Sequence, residues 1–178
     1  MDLSGEMLAV ARRRAASLGL CAADGGGGDS GGISPVRFVR ADATRLPFDG
    51  ASFDTVLDTF SLCVLGAAAA DALREAARVV RPGGCVRASP SLAGAPRRQR
   101  ADASVCARRV LLLEHSRASF APLGAYQDAT SAVVAAAGKG CVWNQDVDAL
   151  LAAVGLRAVA QTQALGGMLR SIEAVRAG

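Results

Sequence analysis

The sequence predicts an α/β fold, a parallel sheet covered on both faces by helices. Three observations carry this. Two short apolar runs, FDTVLDTF (53–60) and VLLLEH (110–115), have the length of strands. Stretches of helical period stand around them at 3–18, 67–80 and 144–155. Glycine and proline punctuate the joints, at RPGG (81–84) and Gly155. Strand and helix in alternation argue for a parallel sheet, and in such sheets ligands sit at the carboxyl ends of the strands.

The elements follow in order. In LSGEMLAVARRRAASL (3–18), Met7, Leu8, Ala11, Ala15 and Leu18 recur at helical spacing. Ser4 can cap that helix, and Glu6 in its first turn suits the helix dipole. The glycine-rich tract CAADGGGGDSGGISP (21–35) reads as a flexible loop. VRFVRA (36–41) reads as a strand, ADATRLPFDGAS as its exit loop and FDTVLDTF (53–60) as the next strand, with Val56 and Leu57 both inside. Residues 67–80 place Leu73, Ala76, Ala77 and Val80 on one helical face, and Pro82 stops the helix. VLLLEH (110–115) is apolar enough to be buried on both faces. The Ala-rich region 119–137 reads as helix. NQDVDALLAAVG (144–155) reads as a further helix, through Val147, Leu150, Leu151 and Val154. Strands near 157–164 and 168–175 close the chain.

Length and composition set bounds. With 178 residues the chain fits a single domain. The longest apolar stretch, LCVLGAAAA (62–70), is far shorter than the roughly 20 residues of a membrane span, and the expectation is a soluble intracellular protein without a spanning helix. Five cysteines (Cys21, Cys63, Cys85, Cys106, Cys141) include no CxxC pair, and the lone His115 has no Cys within ligand spacing. That pattern supports neither a zinc knuckle nor a disulfide framework, and it suits reduced thiols. The net charge of +4 falls entirely within 86–108, where Arg87, Arg97, Arg98, Arg100 and Arg108 face only Asp102. This segment lacks aromatic residues for base stacking, which speaks against a nucleic-acid arm.

The acids of FDTVLDTF mark its two ends. Burying an unpaired carboxylate inside a strand costs several kcal/mol, so Asp54 belongs at the entry and Asp58 at the exit. Asp58 and Thr59 thus fall on the ligand-binding edge, and Asp54 on the opposite one.

Four stretches in order, MDLSGEMLAVARRRA (1–15), FVRADATRLPFDGASFDTVLDTF (38–60), LREAARVVRPGG (73–84) and VLLLEHSR (110–117), resemble class I S-adenosylmethionine-dependent methyltransferases. The likeness is to the branch that includes the ubiquinone and menaquinone biosynthesis methyltransferases. EHSRASFAPLGAYQD and GCVWNQDVDALLAAVGL look most like its mitochondrial and plastid methyltransferase-like members. The resemblance implies a Rossmann-like fold, S-adenosylmethionine as cofactor, a small-molecule methyl acceptor and no metal. It implies ribose binding by Asp2 and adenine binding by Asp42 and the backbone of Ala43. Thr59 would lie against the cofactor, and Asp54 would be structural. His115, after a strand at the ligand edge, is the one catalytic candidate, able to meet substrate or relay a proton. Substrate selection would fall to the first helix, residues 116–145 and the loop after the fourth family strand, with Trp143 and Phe120 supplying aromatic surface.

Two departures from the family pattern shape the expectation. The family's opening strand and DxGxGxG loop are not found, and GGGG at 25–28 does not replace them, because a helix precedes it and a strand follows. The chain therefore reads as N-terminally truncated, with weak cofactor affinity. CVRASPSLAGAPRRQRADASVCAR separates PGG from the VLLLEH strand, and residues 86–108 read as a disordered insertion. Three functional classes stay open: a methyltransferase-family domain, a catalytically inactive fragment or interaction module of the same fold, and a nicotinamide-dependent oxidoreductase, which also holds ribose with an acid ending its second strand. The LPF, SFD and RPGG series speaks against the third.

Overall fold

A computed structural model describes residues 1–20, 36–82 and 109–176. The expected loop at 21–35 and the expected insertion at 86–108 lie outside the described residues. The chain divides into two units, Met1–Pro47 and Phe48–Gly178.

In the first unit, helix α1 runs from Gly5 to Ser17, and the Ser4 hydroxyl caps it by accepting the Met7 N–H at 3.2 Å. Leu8 and Ala15, two turns apart, form its buried face. The strand expected over 36–41 is reduced to one parallel bridge between Asp2 and Arg40. Asp2 donates its N–H to Val39 and its carbonyl accepts from Ala41. The ladder goes no further because Ser4 already turns the chain into α1.

The second unit is built on a four-stranded sheet. Its elements are β1 (Thr55–Thr59), α2 (Leu62–Leu65), α3 (Ala69–Val79), β2 (Arg109–His115), α4 (Ala121–Ala137), α5 (Val147–Ala153), β3 (Leu156–Ala164) and β4 (Leu169–Arg176). The strand order is β1-β2-β4-β3. β1 and β2 are parallel, with Thr55 opposite Arg109 and Thr59 opposite Leu113. β4 runs antiparallel to both of its neighbours. The sheet is thus mixed rather than parallel throughout. The turn Leu165–Gly167 makes the difference, since a parallel return needs a crossover of a dozen residues or more. Gly166 and Gly167 take positive φ there (65° and 91°). A Cβ on Gly167 would come within 2.6 Å of the Ser119 hydroxyl.

The core lies on one side of the sheet. Ala69, Leu73, Ala76 and Ala77 of α3 and Val147 and Leu151 of α5 pack against Val110, Leu112, Ile172 and Ala174. Burial alternates along β2, with Val110, Leu112 and Glu114 fully buried and the residues between them half-buried. β2 is therefore closed on one face only, a narrower burial than its apolar run suggests. β1 departs further from expectation. Val56 and Asp58 turn inward, but Leu57 is 68% exposed, and among the described residues β1 has no strand on its outer edge. Asp146 caps α5 by accepting the Ala149 N–H at 2.9 Å. That helix starts later than its period implies, because the Gln145 carbonyl accepts the N–H of Arg117 instead. Among the described residues no helix is long and apolar enough to cross a membrane.

Candidate functional site

The carboxyl ends of β1 and β2 lie side by side and bring several polar groups together. The inward face of the parallel pair carries Val56 and Asp58 on β1 and Val110, Leu112 and Glu114 on β2. Period-two alternation thus delivers two carboxylates to the last turn of an otherwise apolar face. Glu114 is fully buried. Its Oε1 accepts the backbone N–H groups of Ser61, at 2.9 Å, and Leu62, at 3.4 Å, while Oε2 is buried without a partner. Asp58 accepts the Ser61 hydroxyl. Burial pushes the Glu114 carboxyl up to about 7, and the nearby Asp58 charge adds to it against the backbone bonds from Leu62, Ser61 and Cys63. Burial also raises Asp58, against its bonds to Ser61 and Thr59. Asp54 sits at the amino end of β1, paired with Arg81 at 2.7 Å, and its carbonyl accepts the Arg109 N–H.

Thr59 is the last residue of β1 and is exposed. Phe60 follows with φ 55°, a left-handed backbone uncommon for a bulky residue. Its N–H donates to the Leu113 carbonyl at 2.9 Å, and its ring centroid lies 5.0 Å from that of His115. His115 ends β2 half-buried, with Nδ1 buried and unpartnered.

The loop after β2 is held by α4, through a residue the sequence reading did not single out. Gln127 is fully buried, and its Oε1 accepts the Ala118 N–H at 2.6 Å. Its Nε2 donates to the Ser116 carbonyl at 3.1 Å and the Trp143 carbonyl at 2.9 Å. One side chain therefore ties α4 to both segments flanking the site. Next to it, Asp128 pairs with Arg117 at 2.9 Å and accepts the Asn144 amide at 3.0 Å. These bonds hold its carboxyl below the usual range. The only cue in the sequence is a Gln-Asp pair in an Ala-rich helix. Trp143 is half-buried with the Tyr126 ring 6.0 Å away, and Phe120 is exposed.

A second grouping is also absent from the sequence reading. Ligand atoms of Cys63, His115 and Cys141 all lie within 4.8 Å of one another. The fold closes distances that the spacing of these residues leaves open. The thiol of Cys63 is pushed up to about 12, first by burial and then by its contact with Cys141.

Asp2, Asp42 and Ala43 belong to the first unit. Asp2 is exposed, and its Oδ1 accepts the Ser4 N–H at 2.7 Å. Asp42 is exposed and opens a tight turn, with Oδ1 accepting both the N–H and the hydroxyl of Thr44 at 2.8 Å. These bonds lower its pKa, the backbone one most. Ala43 is half-buried within that turn.

A methyltransferase-domain family pattern matches residues 1–88. The ubiquinone/menaquinone biosynthesis C-methyltransferase of Azotobacter vinelandii is 34% identical over 130 residues, covering 73% of this chain. The chain spans 37% of that relative's length. Among solved structures, a SAM-dependent methyltransferase from Thermotoga maritima matches with a TM-score of 0.60 at 15% identity, over 98% of this chain and 71% of that one. The [4+2]-cyclase SpnF matches with a TM-score of 0.59 at 14% identity, over 98% of this chain and 63% of that one. Likeness at such identities speaks for the fold alone. Together, the family pattern, the shared sequence and the fold make the chain similar to S-adenosylmethionine-dependent methyltransferases over the residues matched.

Proposed function

We propose that this chain holds the nucleoside of S-adenosylmethionine and presents its methyl group to a small-molecule acceptor. The observation that carries the reading is the carboxyl edge of the parallel pair, where Asp58, Thr59, Phe60, Glu114 and His115 gather on the side of an α/β sheet that binds ligands. Within the first unit, Asp2 and Asp42 are the acids suited to a nucleoside. Asp2 bridges to Arg40, two residues before Asp42. In this reading Asp2 takes the ribose hydroxyls and Asp42 the adenine amino group, with the Ala43 N–H for a ring nitrogen. The depressed pKa of Asp42 suits this role, since an ionised carboxylate only accepts hydrogen bonds. Thr59 lies against the cofactor in this reading.

The chemistry is an in-line displacement. An O, N or C nucleophile of the acceptor attacks the methyl carbon, the carbon–sulfur bond breaks, and the bonding pair leaves with sulfur as S-adenosylhomocysteine. The positive sulfonium is already activated, so alignment and exclusion of water supply most of the acceleration. Gln127 and Glu114 serve this by fixing the loops after β2 and β1. No catalytic side chain is assigned beyond the candidate His115. Release of S-adenosylhomocysteine, followed with a panel of phenolic, quinol and amine acceptors, tests the proposal. Acceptor-dependent release that falls in Asp42→Ala supports it.

The exposed Leu57 on the open side of β1 favours a second reading, an inactive module of the same fold. Nucleoside binding with no release for any acceptor would support that reading.

A further inference from the structure

We infer that Cys63, His115 and Cys141 form a binding site for a zinc-class divalent ion, with two thiolates and one imidazole as ligands. The donors come from three separate stretches, α2, the end of β2 and the turn after α4. Backbone bonds hold each stretch independently of the donors' side chains. The start of α2 is fastened to β2 by the two N–H groups that Glu114 accepts, and Phe60 donates its N–H to Leu113. The Cys63 carbonyl accepts the N–H of Val142 at 2.6 Å, which docks the segment carrying Cys141 directly on α2. That segment is bent by positive φ at Lys139 (56°) and Gly140 (87°), and closed by bonds from Gly140 to Ala135 and from Cys141 to Gly138. The site is thus organised before any ion arrives.

A second observation points the same way. The Nδ1 of His115 is buried and has no hydrogen-bond partner, and a buried ring nitrogen left so needs a reason. One ring nitrogen of this imidazole stands beside the two thiols, where a shared cation would give the ring a partner. Two Cys and one His with an open fourth position is a recognised zinc donor set. Ligand atoms around tetrahedral zinc stand about 3.5–3.8 Å apart, given metal bonds of about 2.0–2.3 Å. Donors within 4.8 Å of one another reach this with inward shifts of about 1 Å, within the range of side-chain rotation. On binding, each thiol loses its proton to the buffer as its sulfur–metal bond forms, and two thiolates neutralise the dication. A bound ion would occupy His115 and withdraw it from proton relay. The inference is independent of methyl transfer, since it rests on donors and not on the nucleoside acids.

Cobalt(II) titration of the reduced, metal-free full chain tests it. We expect saturation at one equivalent, with thiolate-to-cobalt charge-transfer absorption and the intense visible bands of tetrahedral cobalt, all displaced by zinc. Cys21→Ser/Cys85→Ser/Cys106→Ser should keep these bands. Cys63→Ser, Cys141→Ser and His115→Gln should each weaken zinc binding at least about tenfold in competition with a chromophoric chelator, with folding monitored by circular dichroism. Absence of thiolate charge transfer in the unaltered chain would overturn the inference. So would an unchanged spectrum in Cys63→Ser/Cys141→Ser, or a Cys63–Cys141 disulfide that persists in a thiol reductant and prevents metal uptake.

Discussion

Glu114 accepts the backbone N–H of Ser61 at 2.9 Å, and this bond joins the end of β2 to the start of α2. The last inward position of a buried strand thereby organises the loop that leaves its neighbour. The bond explains why an acid is kept at a fully buried position, since a carboxylate can satisfy two orphan donors with one oxygen.

Replacing Glu114 separates anchoring from charge. Glu114→Ala removes the acceptor and strands two N–H groups, so we expect a loss of about 2–3 kcal/mol in unfolding free energy. Glu114→Gln keeps an acceptor oxygen and removes the charge beside Asp58. It should match or exceed the parent at pH 8, as measured by urea denaturation.

Stability should fall between about pH 4.5 and 7. The carboxyl of Glu114 is raised from 4.5 to about 7, so through that window the native state binds more protons than the unfolded chain. Unfolding free energy then decreases as pH rises, the contribution being complete below the lower value and lost above the upper one. A shift of this size corresponds to something on the order of 3 kcal/mol. Asp58 is raised too and acts in the same direction. Arg170, cross-strand from Glu114, is engaged by Asp148 at 2.8 Å and does not offset the trend. Urea denaturation in chelator-treated buffer at pH 5 and pH 8 checks this, and Glu114→Gln should flatten the slope.

Gln127 holds three backbone groups at a fully buried position. Gln127→Leu leaves them without partners, for an expected loss of about 2–4 kcal/mol. Hydrogen exchange should quicken at Ala118, whose N–H it accepts, while the β3–β4 hairpin stays protected.

Much of the fold was legible because its determinants are local. Ser4 and Glu6 mark the start of α1 within one turn, and the Leu73, Ala76, Ala77 spacing gives the buried face of α3, with Val80 of that pattern falling at its C-cap. The helix over 119–137 and the strand at the VLLLEH run also stand where their patterns put them. The antiparallel end of the sheet was missed, though the few residues between 164 and 169 were a usable cue. Exposure of Leu57 could not be read, because an apolar run does not say whether anything lies against it. The acids of FDTVLDTF stand near its two ends, but Asp58 lies within β1 and turns inward, so the cost of burying charge does not keep it in water. The gathering of Cys63, His115 and Cys141 is a product of chain crossing, and no spacing rule reaches across stretches so far apart.

If the described carboxylates grip only the nucleoside, cofactor and adenosine should bind with similar, weaker than micromolar, affinity. Isothermal titration with S-adenosylmethionine and adenosine checks this, and micromolar affinity for the cofactor would contradict it.

Saturation-transfer difference NMR with S-adenosylmethionine tests the central claim most directly, since it detects weak binding and maps which part of the ligand is touched. The account predicts transfer concentrated on the adenine and ribose protons, and its loss in a folded Asp2→Ala/Asp42→Ala chain. Transfer confined to the methionine end, or undiminished in that double variant, would contradict it.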